Sequence, residues 1–296
     1  MRLTGGAELV RNRDLCFVIR QQTRALPDLE KLAGRVGIGR LNPRQALAVR
    51  DALTVAREIK SQLRAAHSPL LIQIGSSLPN PDDLIELIST ALTDDPPLVT
   101  NKGGRIKPGH APKLDQLNES IREARRYIGD LQKIERERTG IASLKVGFNK
   151  IFGYYIEITR ANASSVPENY IRKQTLVNAE RYITPELKEK EELILAAEEK
   201  IFALEAELYQ DLLDALAARI ADLVHTAELL AEIDLVSSLA QLAVTRGYCR
   251  PELFEDDRLV ITNGRHPVIE AVLPPGTFVP NDIHFEPDNR RIMILT

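Results

Sequence analysis

Between residues 113 and 139 apolar side chains recur every three or four positions: Leu114, Leu117, Ile121, Ala124, Ile128, Leu131 and Ile134. This spacing predicts a helix with a narrow apolar stripe, suited to pairing with one partner helix. Roughly 28 residues at about 1.5 Å each give an arm of about 40 Å. Near Thr139-Gly140 the period changes from three or four to two. Residues 143–148 and 152–159 read as a hairpin turning at Asn149, Lys150 and Ile151, and residues 172–176 and 181–184 as two further short strands. From Pro185 the helical period returns through Leu193, Ala197, Ile201, Leu204, Leu208, Leu212, Leu216, Ile220 and Leu223. Two long helices flanking a β-rich island imply an antiparallel helical hairpin with the island at its tip. The alternative is an α+β domain without a projecting arm; helix length and stripe width favour the arm.

The remaining pattern is helical before the arm and mixed after it. Helices are expected at 7–24, at 43–66 behind an Asn42 cap and Pro43, and at about 80–93. Residues 94–109 form a connection rich in Gly and Pro. A helix over about 227–246 is apolar on most sides, which predicts burial. Beyond Gly247 short strands alternate with Gly and Pro turns, and Arg291–Thr296 reads as a strand buried on both faces of a sheet. That ending suggests the start of an α/β domain.

Composition excludes several classes. Apolar residues make up 44% of the 296, enough for real cores, and the net charge of −3 means that any basic patch is local. Cys16 and Cys249 form no paired motif and the five histidines have no metal-ligand spacing, so neither disulfides nor structural metal are expected. The N-terminus lacks a signal-peptide core, and no run of about 18 apolar residues predicts a membrane span. A reducing cytoplasm fits. No catalytic triad or paired carboxylates can be assembled.

Candidate chemistry concentrates on the island. Lys145, Lys150, Arg160, Arg172, Lys173 and Arg181 stand there with Asn149, Gln174, Thr175 and Asn178. Long cations and amides on rigid turns suit phosphate contact; a solvated charged surface is the plainer alternative. Tyr154, Tyr155, Tyr170 and Tyr182 could stack on bases or pack the hairpin. The segment NKGGRIKPG lacks phosphate-loop spacing, and GxxxxGK[ST] occurs nowhere in the chain. Taken alone, His266 reads as structural and Phe278 as core.

The wording of the island goes further. LKVGFNKIFGYYIEIT followed by YIRKQTLVNAERYITPELKEKEE resembles the clamp and lever of the MutS family of bacterial DNA mismatch-repair proteins. LPDLEKLAGRVGIGRLNPRQ (26–45), ERERTGIASLKVG (135–147), GRHPVIE and FVPND resemble further elements of that family. The resemblance implies a mainly α protein with a small inserted β-rich domain: partial core (1–112), outgoing lever helix (113–142), clamp (143–185), return helix and core (186–247), and the start of an α/β ATPase domain (248–296). It implies sequence-independent contact with duplex DNA through Asn149, Lys150, Arg172, Lys173, Gln174 and Asn178. It also implies adenine stacking by Phe278 beside Val279, with ATP and Mg²⁺ expected only of the full-length protein. A homodimer, a MutL-type repair partner and a bacterial, nucleoid-associated location follow in the same way. No GPNxxGKS phosphate loop and no Phe-x-Glu mismatch wedge occur in the sequence. The chain is therefore expected to be an internal fragment without ATPase activity of its own. A divergent paralogue serving recombination, and a coiled-coil scaffold whose basic tip docks a protein, are the alternatives.

Overall fold

The computed structural model describes residues 1–97, 103–149, 151, 153–274 and 276–286. The chain is mostly helical, with one small four-stranded antiparallel sheet. It divides into two compact units, Met1–Leu242 and Ala243–Thr296.

The first unit opens with α1 (Arg2–Arg11) and α2 (Arg13–Thr23), where the apolar pattern predicted one helix over 7–24. Asn12 breaks it, because its side chain accepts the Leu15 N–H at 3.1 Å and caps α2. Then come α3 (Leu29–Gly37), α4 (Pro43–Gln62), α5 (Pro69–Ser77) and α6 (Asp82–Ala91). Asn42 and Gln45 close a full capping box on α4, as the Asn-Pro start suggested. Burial of Leu53, Ile59, Leu71, Ile74 and Ile88 joins these helices in one core. The Glu8 carboxylate fixes the entry to α5 by accepting the N–H groups of His67 (2.9 Å) and Ser68 (2.6 Å).

Two long helices follow, α7 (Pro112–Thr139, 28 residues) and α8 (Pro185–Ala218, 34 residues). They pack against each other. Arg125 pairs with Glu198 at 2.7 Å, and Lys190 lies 5.7 Å from the Tyr127 ring centre. Position falls along one helix as it rises along the other, so the pair is antiparallel. The buried stripes differ from expectation at several places, among them Leu204 and Leu208, which are half-buried while Glu205 and Tyr209 are buried. Ile134 is exposed while Glu135 turns inward, and Leu193 is exposed while Ile194 is buried. A strict three-and-four count drifts around a 3.6-residue helix, so the buried seam shifts by one position over several turns. Glu135 tolerates burial because Tyr170 and Arg138 both donate to it.

The expected single stripe through Leu223 is also broken. α8 stops at Ala218, and α9 (Ile220–Arg246) begins after Arg219. Arg219 anchors the corner by bonding Asp222 Oδ2 at 2.6 Å and reaching Asp83 on α6. On α9 the inward positions Leu223, Leu230, Ile233 and Val236 are buried, but Leu235, Leu239 and Leu242 are exposed, so burial on most sides does not hold.

In the second unit β5 (Leu259–Gly264) pairs antiparallel with β6 (Asn281–Phe285), with the short helix α10 (Pro267–Val272) between them. The strand expected at Arg291–Thr296 lies outside the described residues. No helix among the described residues is long and apolar enough to cross a membrane.

Candidate nucleic-acid interface

The sheet between α7 and α8 is built by alternation. β1 (Lys145–Asn149), β2 (Gly153–Thr159), β3 (Ile171–Thr175) and β4 (Ala179–Ile183) run in the spatial order β1-β2-β4-β3, all antiparallel. Register places Val146, Ile156 and Tyr182 on one face and Lys145, Glu157 and Arg181 on the other. Ile156, Ile158 and Tyr182 are buried, and β1 and β2 pack on α7 and α8 respectively. The sheet therefore spends its apolar face on the helices and offers a polar face outward.

Side chains from the helices hold it there. Gln132 Oε1 accepts the Val146 N–H at 3.1 Å, and Arg136 Nε donates to the Leu144 carbonyl at 2.7 Å. Tyr170 donates its hydroxyl to the buried Glu135 at 2.6 Å, and Arg138 donates to the same oxygen at 2.6 Å. Burial, then the Glu135 carboxylate, pushes the Tyr170 hydroxyl well above the usual phenol range, so it remains a donor. Tyr182 is pushed up to about 12, by burial and then by its bond to Glu180. From α8, Glu191 Oε1 accepts the Tyr154 N–H at 3.2 Å beside Gly153, whose φ is +75°. Thr184 caps α8 by accepting the Leu187 N–H at 3.1 Å.

The cations divide into two groups. Arg181 is committed: it bonds Glu157 at 2.9 Å and the Gln174 oxygen at 3.0 Å, and lies 4.2 Å from the Tyr155 ring centre. Lys145, Arg160 and Lys173 are exposed and form no ion pair with any carboxylate among the described residues. Arg172 keeps 62% of its side chain exposed and touches Glu180 only at 3.5 Å. A bulge in β3 between Arg172 and Gln174 carries Lys173, so two adjacent cations stand at the free edge of the sheet.

The residues singled out from the sequence fall as follows. Arg172 and Lys173 stand together on the edge strand β3, with Gln174 turned to the outer face, where its oxygen is taken by Arg181. Asn178 is exposed in the β3–β4 turn, and its carbonyl accepts the Arg160 N–H at 3.1 Å. Arg160 thus joins that end of the sheet; its position just after a strand of alternating pattern is the signal that could have added it to the set. Asn149 shapes the β1–β2 turn by accepting the Ile151 N–H at 2.8 Å. Lys150 lies outside the described residues. The four tyrosines are spent on packing: Tyr170 and Tyr182 are buried with ring centres 5.9 Å apart, Tyr154 meets Phe148 edge-on at 4.9 Å, and Tyr155 supports Arg181. The anchors Gln132, Glu135 and Glu191 carried no signal in the sequence, since polar residues on long helices ordinarily face solvent.

Phe278 and Val279 belong to the second unit, Phe278 half-buried and Val279 exposed. Its carbonyl accepts the Asn281 side chain at 3.3 Å at the start of β6. His266 caps α10, its Nδ1 accepting the Ile269 N–H at 3.2 Å, a structural use as read from the sequence. Arg265 bonds Glu270 at 2.9 Å and the carbonyls of Arg246 and Gly247 at 3.1 Å each.

Residues 109–200, which take in α7, the sheet and the first part of α8, match MutS family domain IV. Similarity extends over the rest of the chain, which belongs to the MutS family. The DNA mismatch repair protein MutS of Salinibacter ruber is 43% identical over 296 residues, covering 100% of this chain and 33% of the relative. That of Brevibacillus brevis is 44% identical over 270 residues, 91% of this chain and 31% of the relative. That of Methanosarcina acetivorans is 42% identical over 299 residues, 100% of this chain and 33% of the relative. The chain spans about a third of the length of the curated relatives it matches.

Proposed function

We propose that this chain contributes the DNA-holding part of a MutS-type mismatch-repair protein. In this reading α7 and α8 are the lever and the four-stranded sheet is the clamp. The clamp grips the duplex backbone and reads no sequence. The carrying observation is a set of four exposed cations, Lys145, Arg160, Arg172 and Lys173, around a sheet one face of which packs on two long helices. A rigid platform lowers the entropic cost of ordering long cationic side chains on phosphate, and phosphate contacts position a protein without carrying sequence information. The committed pair Arg181–Glu157 shapes the platform, while Arg172 and Lys173 contact the ligand.

Replacing Arg172 and Lys173 together with Ala is expected to weaken duplex binding by about the same factor for matched and mismatched DNA. It should also reduce the salt slope by about two. Fluorescence anisotropy on paired duplexes reads both. A loss confined to the mismatched duplex would overturn the assignment. Adenine stacking by Phe278 beside Val279, with ATP and Mg²⁺ bound, is proposed for the full-length protein. For the chain itself we propose no ATP hydrolysis, because GxxxxGK[ST] is absent from its sequence. Phosphate release above background in a malachite-green assay would contradict that.

A further inference from the structure

The bulge in β3 decides which side chain meets Arg181. Arg172 faces Tyr182 across the β3–β4 ladder and Gln174 faces Arg181, so Lys173 is the extra residue. In an unbroken ladder Lys173 would stand opposite Arg181, and two cations directly opposed destabilise a sheet. The bulge sets an amide there instead. Arg181 is held from three sides: Glu157 accepts its Nε at 2.9 Å, Gln174 Oε1 accepts its Nη1 at 3.0 Å, and the Tyr155 ring centre lies 4.2 Å from its central carbon. Tyr155 in turn packs over Gly147, where an added Cβ would lie 2.7 Å from a ring carbon.

These contacts fix the direction of the Gln174 amide. A guanidinium has donors and no acceptor, so only the amide oxygen can face Arg181. The Nε2 group, with its two N–H donors, is turned away from Arg181 and has no hydrogen-bond partner among the described residues. A cleft of about 10 Å³, room for about one water-sized atom, is lined by Lys173, Gln174 and Arg181 together with Tyr155 and Ile183. Lys173 is exposed beside it. The Arg181 charge is already met by Glu157, so the groups left for a ligand oxygen there are the Lys173 ammonium and the Gln174 amide nitrogen.

We propose that Arg181 is a positioning residue: by holding the Gln174 oxygen it presents the Gln174 amide nitrogen to a phosphate oxygen of the duplex, beside Lys173. The proposal rests on the phosphate-holding reading of the sheet and adds a contact of a different kind. Gln174 donates an N–H but neutralises no charge, so it strengthens the grip without releasing counterions. An amide oriented before the ligand arrives also spares the cost of ordering it on binding. Removing Arg172 and Lys173 lowers the salt slope; Arg181 and Gln174 contribute to affinity and leave the slope alone.

Anisotropy titrations of the whole chain with a matched duplex, over several salt concentrations, test this. Gln174→Met, similar in length and without a donor, should weaken binding about tenfold, the worth of one hydrogen bond to a charged group, at an unchanged slope of log K against log[salt]. Gln174→Glu keeps an oxygen for Arg181 but offers no donor outward. Its circular dichroism and thermal midpoint should hold while its duplex binding falls further than that of Gln174→Met. Arg181→Met with Glu157→Gln, which leaves the net charge unchanged, should weaken binding by a factor similar to Gln174→Met, again at the same slope. Adding Gln174→Met to that pair should cost little more, because both act through one amide. A slope shallower by about one for the Arg181 pair would mean that Arg181 meets phosphate itself, and would overturn the proposal. Full affinity in Gln174→Met, or full additivity of the two changes, would overturn it as well. If the unaltered chain binds no duplex at low salt, the phosphate-holding reading fails first and this proposal with it.

Discussion

Glu205→Ala is expected to destabilise the chain by about 3–5 kcal/mol, the cost of leaving a buried charge without its partner. Glu205 sits on α8 with 2% of its side chain exposed, and Arg105 opposite it with 8%. The Glu205 carboxylate accepts the Gly104 N–H at 2.7 Å and the Arg105 N–H at 3.2 Å, with Arg105 Nε at 3.3 Å. One side chain thus satisfies two successive backbone donors and a guanidinium. Arg105 is enclosed further by the rings of Phe202 and Tyr209, each 5.9 Å from its central carbon. Removing the carboxylate takes the acceptor from two backbone N–H groups and the ion-pair partner from a guanidinium whose side chain is 8% exposed. Urea denaturation reads the loss as a fall in midpoint at constant slope. Replacing both partners with apolar side chains of similar volume, Arg105→Met with Glu205→Leu, should recover only the part due to the guanidinium, because the Gly104 and Arg105 N–H groups still lose their acceptor. If Glu205→Ala alone cost less than about 1 kcal/mol, the pair would not be the joint that ties the segment before α7 to α8.

The second large effect is expected at Gly153. Its φ is +75°, and a Cβ added there would lie 1.8 Å from Glu191 Oε1. Gly153→Ala therefore combines backbone strain of about 1–2 kcal/mol with loss of the Glu191 bond to the Tyr154 N–H, worth about 1–3 kcal/mol when the donor is left unpaired. Gly140 supplies the control. It ends α7 at φ +68°, and nothing lies within 4 Å of an added Cβ. Gly140→Ala should show the strain alone, about 1–2 kcal/mol. Adding Glu191→Ala to Gly153→Ala should cost less than the two changes made separately, because both disrupt the same contact. Equal losses for the two glycine variants would mean that Glu191 does not hold the β1–β2 turn on the helix.

The arm and the sheet were legible because each follows a simple period. Alternation through Tyr154, Ile156 and Ile158 selects the face that the structure buries, and the Leu114–Ile121–Ala124–Ile128 stripe marks the seam of α7. The joints were not legible. Glu135 and Glu205 interrupt apolar seams with carboxylates, and their partners Tyr170 and Arg105 lie 35 and 100 residues away in sequence. Burial of a carboxylate depends on those distant donors, which no local pattern contains. The break at Arg219 depends in the same way on Asp83, far from it in sequence. The break at Asn12 was missed within the helix expected over 7–24, although an asparagine before Arg-Asp-Leu is a cap in its own right. For the candidate interface, the sequence displayed every cation but not which were free. The structure sets Arg181 apart by its bonds to Glu157 and Gln174 and places Arg160 beside Asn178.

The most direct test of the account is the salt dependence of duplex binding. Four exposed cations on the sheet, Lys145, Arg160, Arg172 and Lys173, correspond to three or four neutralised phosphates. At a slope of about −0.9 per phosphate, log K should fall against log[salt] at about −3 to −4. An anisotropy titration of the purified chain with a short matched duplex, over several salt concentrations, reads this slope. A slope near that range, shared by duplexes of different sequence, is the expected result. Binding that does not change with salt, or no binding at low salt, would contradict the phosphate-holding role of the sheet.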